Sequence, residues 1–317
     1  MIGDRPARRG RLVRNMAEPE RPAPTNAVHP PIGAVREAVA RALAEDLSPI
    51  GDITSALLPP HARADARLVV RADGVLAGRL CVDETLFQVD PSITVEWRAD
   101  DGDHVVAGQT LAVVAGPLAG VLTAERTALN FLSHLSGVAT AASRFVEALA
   151  AAGETHLKVW DTRKTTPGLR ALEKAAVRAG GAQNHRGNLS EWVLLKDNHL
   201  TVLGIEEAVR QTRERWPGRL AHVECDTLAQ VVTALDAGAD ALLLDNMKPD
   251  EVRACVAEVD RRTPPGGRRA CLVEISGGIT LDTVAGFAGC GADLVSTGSI
   301  TNSAAVLDIG LDIDVLP

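Results

Sequence analysis

Apolar residues recur along this chain with two different periods, and the change between them divides it. Over residues 33–47 they fall at helical spacing, which predicts a first helix. From 66 to 118 the apolar runs shorten. Leu68-Val69-Val70, Ile93-Thr94-Val95 and Leu111-Ala112-Val113-Val114 read as strands, with a helix over 83–89 and turns at Gly74, Gly78 and Asp100-Asp101-Gly102-Asp103. That pattern predicts a small, mainly antiparallel sheet domain with one covering helix. A long helix is expected over 124–152, carrying Leu129, Leu132, Leu135, Val138, Phe145, Val146 and Leu149 and interrupted only by Gly137.

Beyond Gly153 the rhythm becomes strand, loop, helix, repeated. Strands are expected at 156–160, 192–195, 222–225, 241–244, 271–275 and 294–296, with helices at 206–215, 228–237, 250–259 and 281–288 among the segments between them. The strands are short and apolar on both faces, as parallel strands covered on both sides are. Six such units point to an α/β barrel more than to a doubly wound sheet, which periodicity alone leaves open. Polar residues support the barrel, because Asp161 to Lys164, Lys196-Asp197, Glu224, Asp245, Glu274 to Ser276 and Thr297 to Ser299 each stand at a strand's C-terminal end. In a barrel those ends converge on one mouth.

The bulk numbers narrow the function. The formal net charge of −8 argues against a nucleic-acid or membrane surface, so any anion-binding region must be local. No apolar run reaches the length of a membrane span. Cys81, Cys225, Cys255, Cys271 and Cys290 form no CxxC pair, so neither a zinc knuckle nor a disulfide framework is indicated, and the protein reads as soluble and cytoplasmic. Residues 1–30 are rich in Arg, Pro and Ala without apolar periodicity or a signal-type apolar core, which predicts a disordered tail; a start at Met16 would shorten it.

Lysine usage says more. There are five lysines against 28 arginines, and all five lie between 158 and 248. Where arginine is so favoured, a retained lysine marks a place that needs a compact charge rather than a planar fork. Lys164 and Lys196 sit in cation-rich segments and read as functional; Lys158, Lys174 and Lys248 fit chance equally well. The segments are Asp161-Thr162-Arg163-Lys164-Thr165-Thr166-Pro167-Gly168-Leu169-Arg170, Asn184-His185-Arg186 and Lys196-Asp197-Asn198-His199. Gathered at one mouth, they suit a small substrate with several negative charges.

Single features admit two readings. Ser276-Gly277-Gly278 and Thr297-Gly298-Ser299 are tight turns or, as a consecutive pair, a phosphate grip. Glu224 and Asp245 can bind ribose hydroxyls, reach Mg²⁺ through waters, stabilise a cationic transition state, or serve as counterions to Lys164 and Lys196. Arg163 and Arg186 suit bidentate contact with carboxylates. Arg126 reads from pattern alone as a surface partner of Glu125. His185 and His199 are acid–base candidates or helix caps. Together these residues suggest phosphoribosyl chemistry without selecting one reaction.

In order, the chain carries Glu45-Asp46-Leu47, Gly51-Asp52-Ile53-Thr54, Glu125-Arg126-Thr127-Ala128-Leu129-Asn130, Leu135-Ser136-Gly137-Val138-Ala139-Thr140, the three cationic segments, Leu244-Asp245-Asn246-Met247 and Glu274-Ile275-Ser276-Gly277-Gly278-Ile279. This series resembles the quinolinate phosphoribosyltransferases from about Val35 to Asp312. The resemblance implies an N-terminal α/β sandwich domain (31–152) and a C-terminal open, TIM-like α/β barrel (153–317). It implies homodimers, and larger assemblies in some members, with the active site shared between subunits. The implied reaction joins quinolinate to phosphoribosyl pyrophosphate and yields nicotinate mononucleotide, pyrophosphate and CO₂ for NAD synthesis, with Mg²⁺ carried mainly by the phosphoribosyl substrate and no dedicated protein metal site. Arg163, His185, Arg186 and Lys196 would hold the quinolinate carboxylates, with Arg126 joining from the partner. Lys164 would face the pyrophosphate side, Glu224 and Asp245 the ribose, and Ser276, Gly277, Gly278 and Gly298 the phosphate, with Thr162 and Ser299 also among the substrate-binding residues. Lys164, Lys196, Glu224 and Asp245 would carry the catalysis.

The chain departs from the family pattern at Ala182, at Gly187-Asn188, at His222 (where a glutamate is usual) and at Asn302 (where a histidine is usual), and carries an insertion around Pro264 to Gly267. The pyrophosphorylase-like protein of molybdenum transport shares the fold, but the complete Lys196-Asp197-Asn198-His199 segment favours the first reading. A barrel that binds phosphoribosyl ligands without turnover is the third; retention of Arg163, Lys164, Lys196, Glu224 and Asp245 argues against it.

Overall fold

The structure is a computed structural model that describes residues 28–264, 269 and 271–316. The expected tail over most of 1–30, the Met16 start and most of the insertion lie outside the described residues. In chain order the first half comprises α1 (Ile32–Leu47), β1 (Arg63–Val70), β2 (Gly74–Val75), α2 (Arg79–Val89), β3 (Thr94–Trp97), β4 (His104–Val105), β5 (Thr110–Pro117) and α3 (Leu118–Ala151). The second half follows with β6 (Lys158–Trp160), α4 (Arg170–Ala179), β7 (Val193–Leu195), α5 (Asp197–Leu203), α6 (Ile205–Arg215), β8 (Ala221–Cys225), α7 (Leu228–Asp236), β9 (Ala241–Asp245), α8 (Pro249–Arg261), β10 (Leu272–Ser276), α9 (Leu281–Val284), β11 (Leu294–Ser296), α10 (Ser299–Asn302) and β12 (Ile309–Leu316).

The antiparallel sheet runs β12-β1-β5-β3. Along β1, Ala64, Ala66, Leu68 and Val70 are buried while the residues between them are more exposed, the two-residue alternation of a sheet covered on one face. That face packs on α2 and the first part of α3, through Leu86, Val121, Ala124, Ala128 and Leu132 among others. The expected long helix starts earlier than its apolar spacing suggested, at Leu118 directly after Pro117, and runs through Gly137 unbroken. A Cβ on Gly137 would stand 2.1 Å from the Ala305 carbonyl oxygen, so glycine here lets the chain after α10 cross the helix. From Phe131 onward α3 packs into the other core, with α1 and the parallel strands.

The six-stranded parallel sheet has the order β6-β11-β10-β9-β8-β7. Its last strand pairs with its first, a cyclic order that a doubly wound sheet lacks, and this decides for the barrel. The cylinder is open between β6 and β7, where a single parallel bridge joins Trp160 to Gln183. β8 and most of β9 are buried residue by residue, as the apolar runs required.

One feature was not foreseen. Residues 309–316 do not stay with the barrel: β12 pairs antiparallel with β1 along its whole length, from Val70↔Ile309 to Arg63↔Leu316. The last strand therefore belongs to the sheet of the first half and not to the barrel expected over 153–317.

Candidate active site

The C-terminal ends of the parallel strands face one cavity of about 330 Å³, lined by Thr162, Arg163, Lys164, His185, Arg186, Lys196 and Asp245 among others. A second cavity of about 230 Å³ shares Thr162, Lys164, Ser276 and Gly277 with it and continues over Gly278, Gly298, Ser299 and Asn302. One lobe is cationic, and the other is walled by the glycine-containing loops after β10 and β11. Of the residues that the resemblance assigns to substrates or catalysis, only Arg126 and Glu224 line neither lobe.

Both exceptions have a physical account. Glu224 sits at the end of β8 with its carboxylate 2.6 Å from Lys196 Nζ, and it also accepts the Asp197 N–H. It is thus the internal counterion of a cavity lysine, one of the readings its position allowed. Arg126 is exposed on α3 and forms no ion pair among the described residues, so the expected pairing with Glu125 is not made. A single chain does not bring it to the cavity.

The cationic loops are held by a buried polar frame that sequence reasoning had left unassigned. Glu173 and Lys174 are adjacent on α4 and both buried. Glu173 accepts the Thr166 N–H with both oxygens and contacts His134 Nε2 of α3 at 2.8 Å, which fixes the loop carrying Arg163 and Lys164. Lys174 donates to Asp161 at 2.5 Å and to the His185 carbonyl at 2.8 Å. Asp161 in turn accepts the His185 N–H and the Asn184 amide. Burial pushes the Asp161 carboxyl up and the Lys174 ammonium down, each against the pull of the other. Asp161 is therefore a structural member of this frame. The Lys174→Met variant should lose about 3–5 kcal/mol of unfolding free energy in urea titration, because it strands a buried carboxylate. A loss below about 1 kcal/mol would mean that Asp161 does not depend on its lysine.

At the floor, His185 is buried against Trp192, with ring centroids 4.8 Å apart, and its Nε2 lies 3.0 Å from Glu274 Oε2. Arg186 is also buried and donates to the Trp192 carbonyl. Burial, joined by Arg163, pulls its guanidinium down from its ordinary range. His199 has the commoner histidine role, since its Nδ1 accepts the Lys196 N–H and caps α5. Asp245 is pushed up by burial and then by the Glu224 charge, although it accepts the Asn246 side-chain amide at 2.6 Å. The five cysteines are buried, and burial pushes their thiols up (Cys225 and Cys271 to about 12), which leaves no thiolate nucleophile.

The loop lobe depends on one backbone conformation. Gly277 has φ +82°, and a Cβ there would stand 2.4–2.7 Å from Asn246, including its backbone nitrogen. Asn246 itself is left-handed, with φ 55°, and donates its N–H to the Ser276 carbonyl. The two turns interlock. The Gly277→Ala variant should stay folded while its KM for the phosphoribosyl substrate rises roughly tenfold or more, because displacement of a binding loop by about 1 Å is costly. An unchanged KM would show that this loop does not contact the phosphate.

Comparison with known proteins completes the picture. The family description "Quinolinate phosphoribosyl transferase, C-terminal domain" matches residues 138–312, and the corresponding N-terminal domain matches 52–136. The nicotinate-nucleotide pyrophosphorylase [carboxylating] of Mycobacterium leprae (strain TN) is 40% identical over 285 residues, covering 88% of this chain and 97% of its own length. The human protein of the same name is 40% identical over 259 residues, covering 81% and 84%. A solved nicotinate-nucleotide pyrophosphorylase from Francisella tularensis superposes with a TM-score of 0.83 at 32% identity, covering 91% of this chain and 99% of that one.

Proposed function

The chain belongs to the quinolinate phosphoribosyltransferase family, and from that footing we propose how its cavity carries out the family's reaction. It is a phosphoribosyl-transferring enzyme that converts quinolinate to nicotinate mononucleotide, with release of pyrophosphate and CO₂, in NAD biosynthesis. The observation that carries the residue assignment is the two-lobed cavity, cationic on one side and walled by glycine loops on the other. Arg163, His185, Arg186 and Lys196 take the two carboxylates of quinolinate. Ser276, Gly277, Gly278, Gly298 and Ser299 take the 5-phosphate, with Thr162 and Lys164 between the lobes at the pyrophosphate.

Breaking the bond from C1 to pyrophosphate builds positive charge on the ribose, which Asp245 and Glu224 stabilise from the strand ends. Lys164 neutralises the departing pyrophosphate. Hard oxygen donors at the mouth fit Mg²⁺, which supplies further charge neutralisation when it arrives with the phosphoribosyl substrate. Once the ring nitrogen carries ribose it is cationic, and loss of the adjacent carboxylate as CO₂ leaves an electron pair next to that positive nitrogen. The cations that held the carboxylate keep the ring in place until a proton is taken up at that carbon. The chain supplies position and charge, and no covalent nucleophile.

Arg126 is exposed outside its own cavity, which supports a homodimer in which it completes the partner's quinolinate site. A cytoplasmic location fits the reaction; no helix among the described residues is long and apolar enough to cross a membrane. The deciding assay supplies quinolinate, phosphoribosyl pyrophosphate and Mg²⁺ to the purified protein, with nicotinate as the parallel substrate. Product and CO₂ from quinolinate alone are expected. Equal use of nicotinate would overturn the dicarboxylate assignment of the arginines.

A further inference from the structure

Beneath the substrate cavity lies a cluster that the reaction does not use in full. His185 Nε2, His222 Nε2 and a Glu274 carboxylate oxygen lie within 4.8 Å of one another, and all three residues are buried. Glu274 is 1% exposed. One of its oxygens lies 3.0 Å from His185 Nε2 and the other accepts the Ser296 hydroxyl.

His222 is the anomaly. Its ring is 4% exposed. Its Nε2 is buried without a hydrogen-bond partner, with Glu274 Oε2 3.4 Å away. A buried imidazole nitrogen left without a partner beside a carboxyl group is costly unless a proton or a metal ion fills the gap.

We propose that His185, His222 and Glu274 form a binding site for a zinc-class divalent metal at the floor of the substrate cavity. Two imidazoles and one carboxylate are a donor set typical of open zinc sites. Ligands held about 2.0–2.2 Å from a tetrahedral ion stand about 3.3–3.6 Å apart; here the two nitrogens lie 3.0 and 3.4 Å from Glu274 Oε2, and the three donor atoms lie within 4.8 Å of one another. An outer partner that orients such a ligand is also in place, in the Ser296 hydroxyl on the other Glu274 oxygen. His185 and Glu274 line the cavity, so the fourth position opens to it. His222 is also one of the positions where the sequence departs from the pattern it resembles. On the functional reading above, the metal and the quinolinate carboxylate compete for His185.

The test is a Co²⁺ titration of chelator-treated, full-length protein followed by visible absorption. One equivalent should give a tetrahedral-type band that Zn²⁺ abolishes, and in H222Q binding should weaken by at least about tenfold. Absence of the band overturns the proposal, as does an identical band in H222Q. Nitrogen-15 spectra of His222 in metal-free protein guard against a variant that fails to fold: a neutral ring is expected, and an imidazolium would show that a proton fills the gap instead. Quinolinate should perturb the Co²⁺ band; an unperturbed band in protein that binds quinolinate overturns the cavity-facing site. Protein that binds no quinolinate but shows the band would count against the functional reading and leave the metal site standing.

Discussion

Replacing Lys164 with alanine is expected to cut kcat/KM by roughly 10²–10³-fold while leaving the fold intact, the size of effect seen when one preorganised charge is removed from a developing anion. Lys164 is exposed, forms no ion pair among the described residues, and lines both lobes of the cavity. Its backbone is fixed independently of its ammonium. The N–H goes to the Thr162 hydroxyl at 3.0 Å and the carbonyl accepts from Thr301 at 2.7 Å. The side chain therefore supplies charge where the two substrates meet and little stability, since an exposed cation without a partner contributes almost none. Steady-state kinetics beside a thermal melt separates the two. Turnover at the wild-type rate would remove Lys164 from the reaction, and a collapsed melting temperature would recast it as structural.

The Arg126→Ala variant should lose quinolinate binding by about 10²-fold or more, the penalty for removing a bidentate partner from a carboxylate, with phosphoribosyl pyrophosphate binding nearly unchanged. The side chain stands apart from its own cavity, so the loss must act on a neighbouring copy. That makes a sharper experiment available. Arg126→Ala and Lys164→Ala, each inactive alone, should regain activity when mixed and allowed to exchange subunits, because a mixed dimer rebuilds one complete mouth. No recovery on exchange would place Arg126 and Lys164 in the same subunit's site and remove the shared mouth.

How far the sequence could be read depended on the range of the information each feature needed. The parallel strands were legible because an apolar run buried on both faces states its own environment. The cavity residues were legible because they stand at strand ends. Glu173 and Lys174 were not: on α4 a Glu-Lys pair looks like an ordinary solvent-facing helix surface, and only the loops folded over it make both buried. His222 looked like a departure within a strand, and its consequence depends on Glu274, two strands along the sheet. Arg126 carried no local signal, since its expected partner is another molecule. The last strand was missed: Ile309, Leu311, Ile313 and Val315 alternate with Gly310, Asp312 and Asp314, but the strand they pair with lies more than 230 residues earlier.

That pairing imposes a timetable on synthesis. β1 has β5 on one side and β12 on the other, so when the first half of the chain leaves the ribosome its sheet carries an open edge along β1. The edge stays unsatisfied through the translation of the whole barrel, at about 5–20 residues per second, and closes only when residues 309–316 arrive. A nascent chain stalled within the barrel would expose a strand ready to pair with any other extended segment. Loss of a few C-terminal residues would thus be felt first at the opposite end of the sequence.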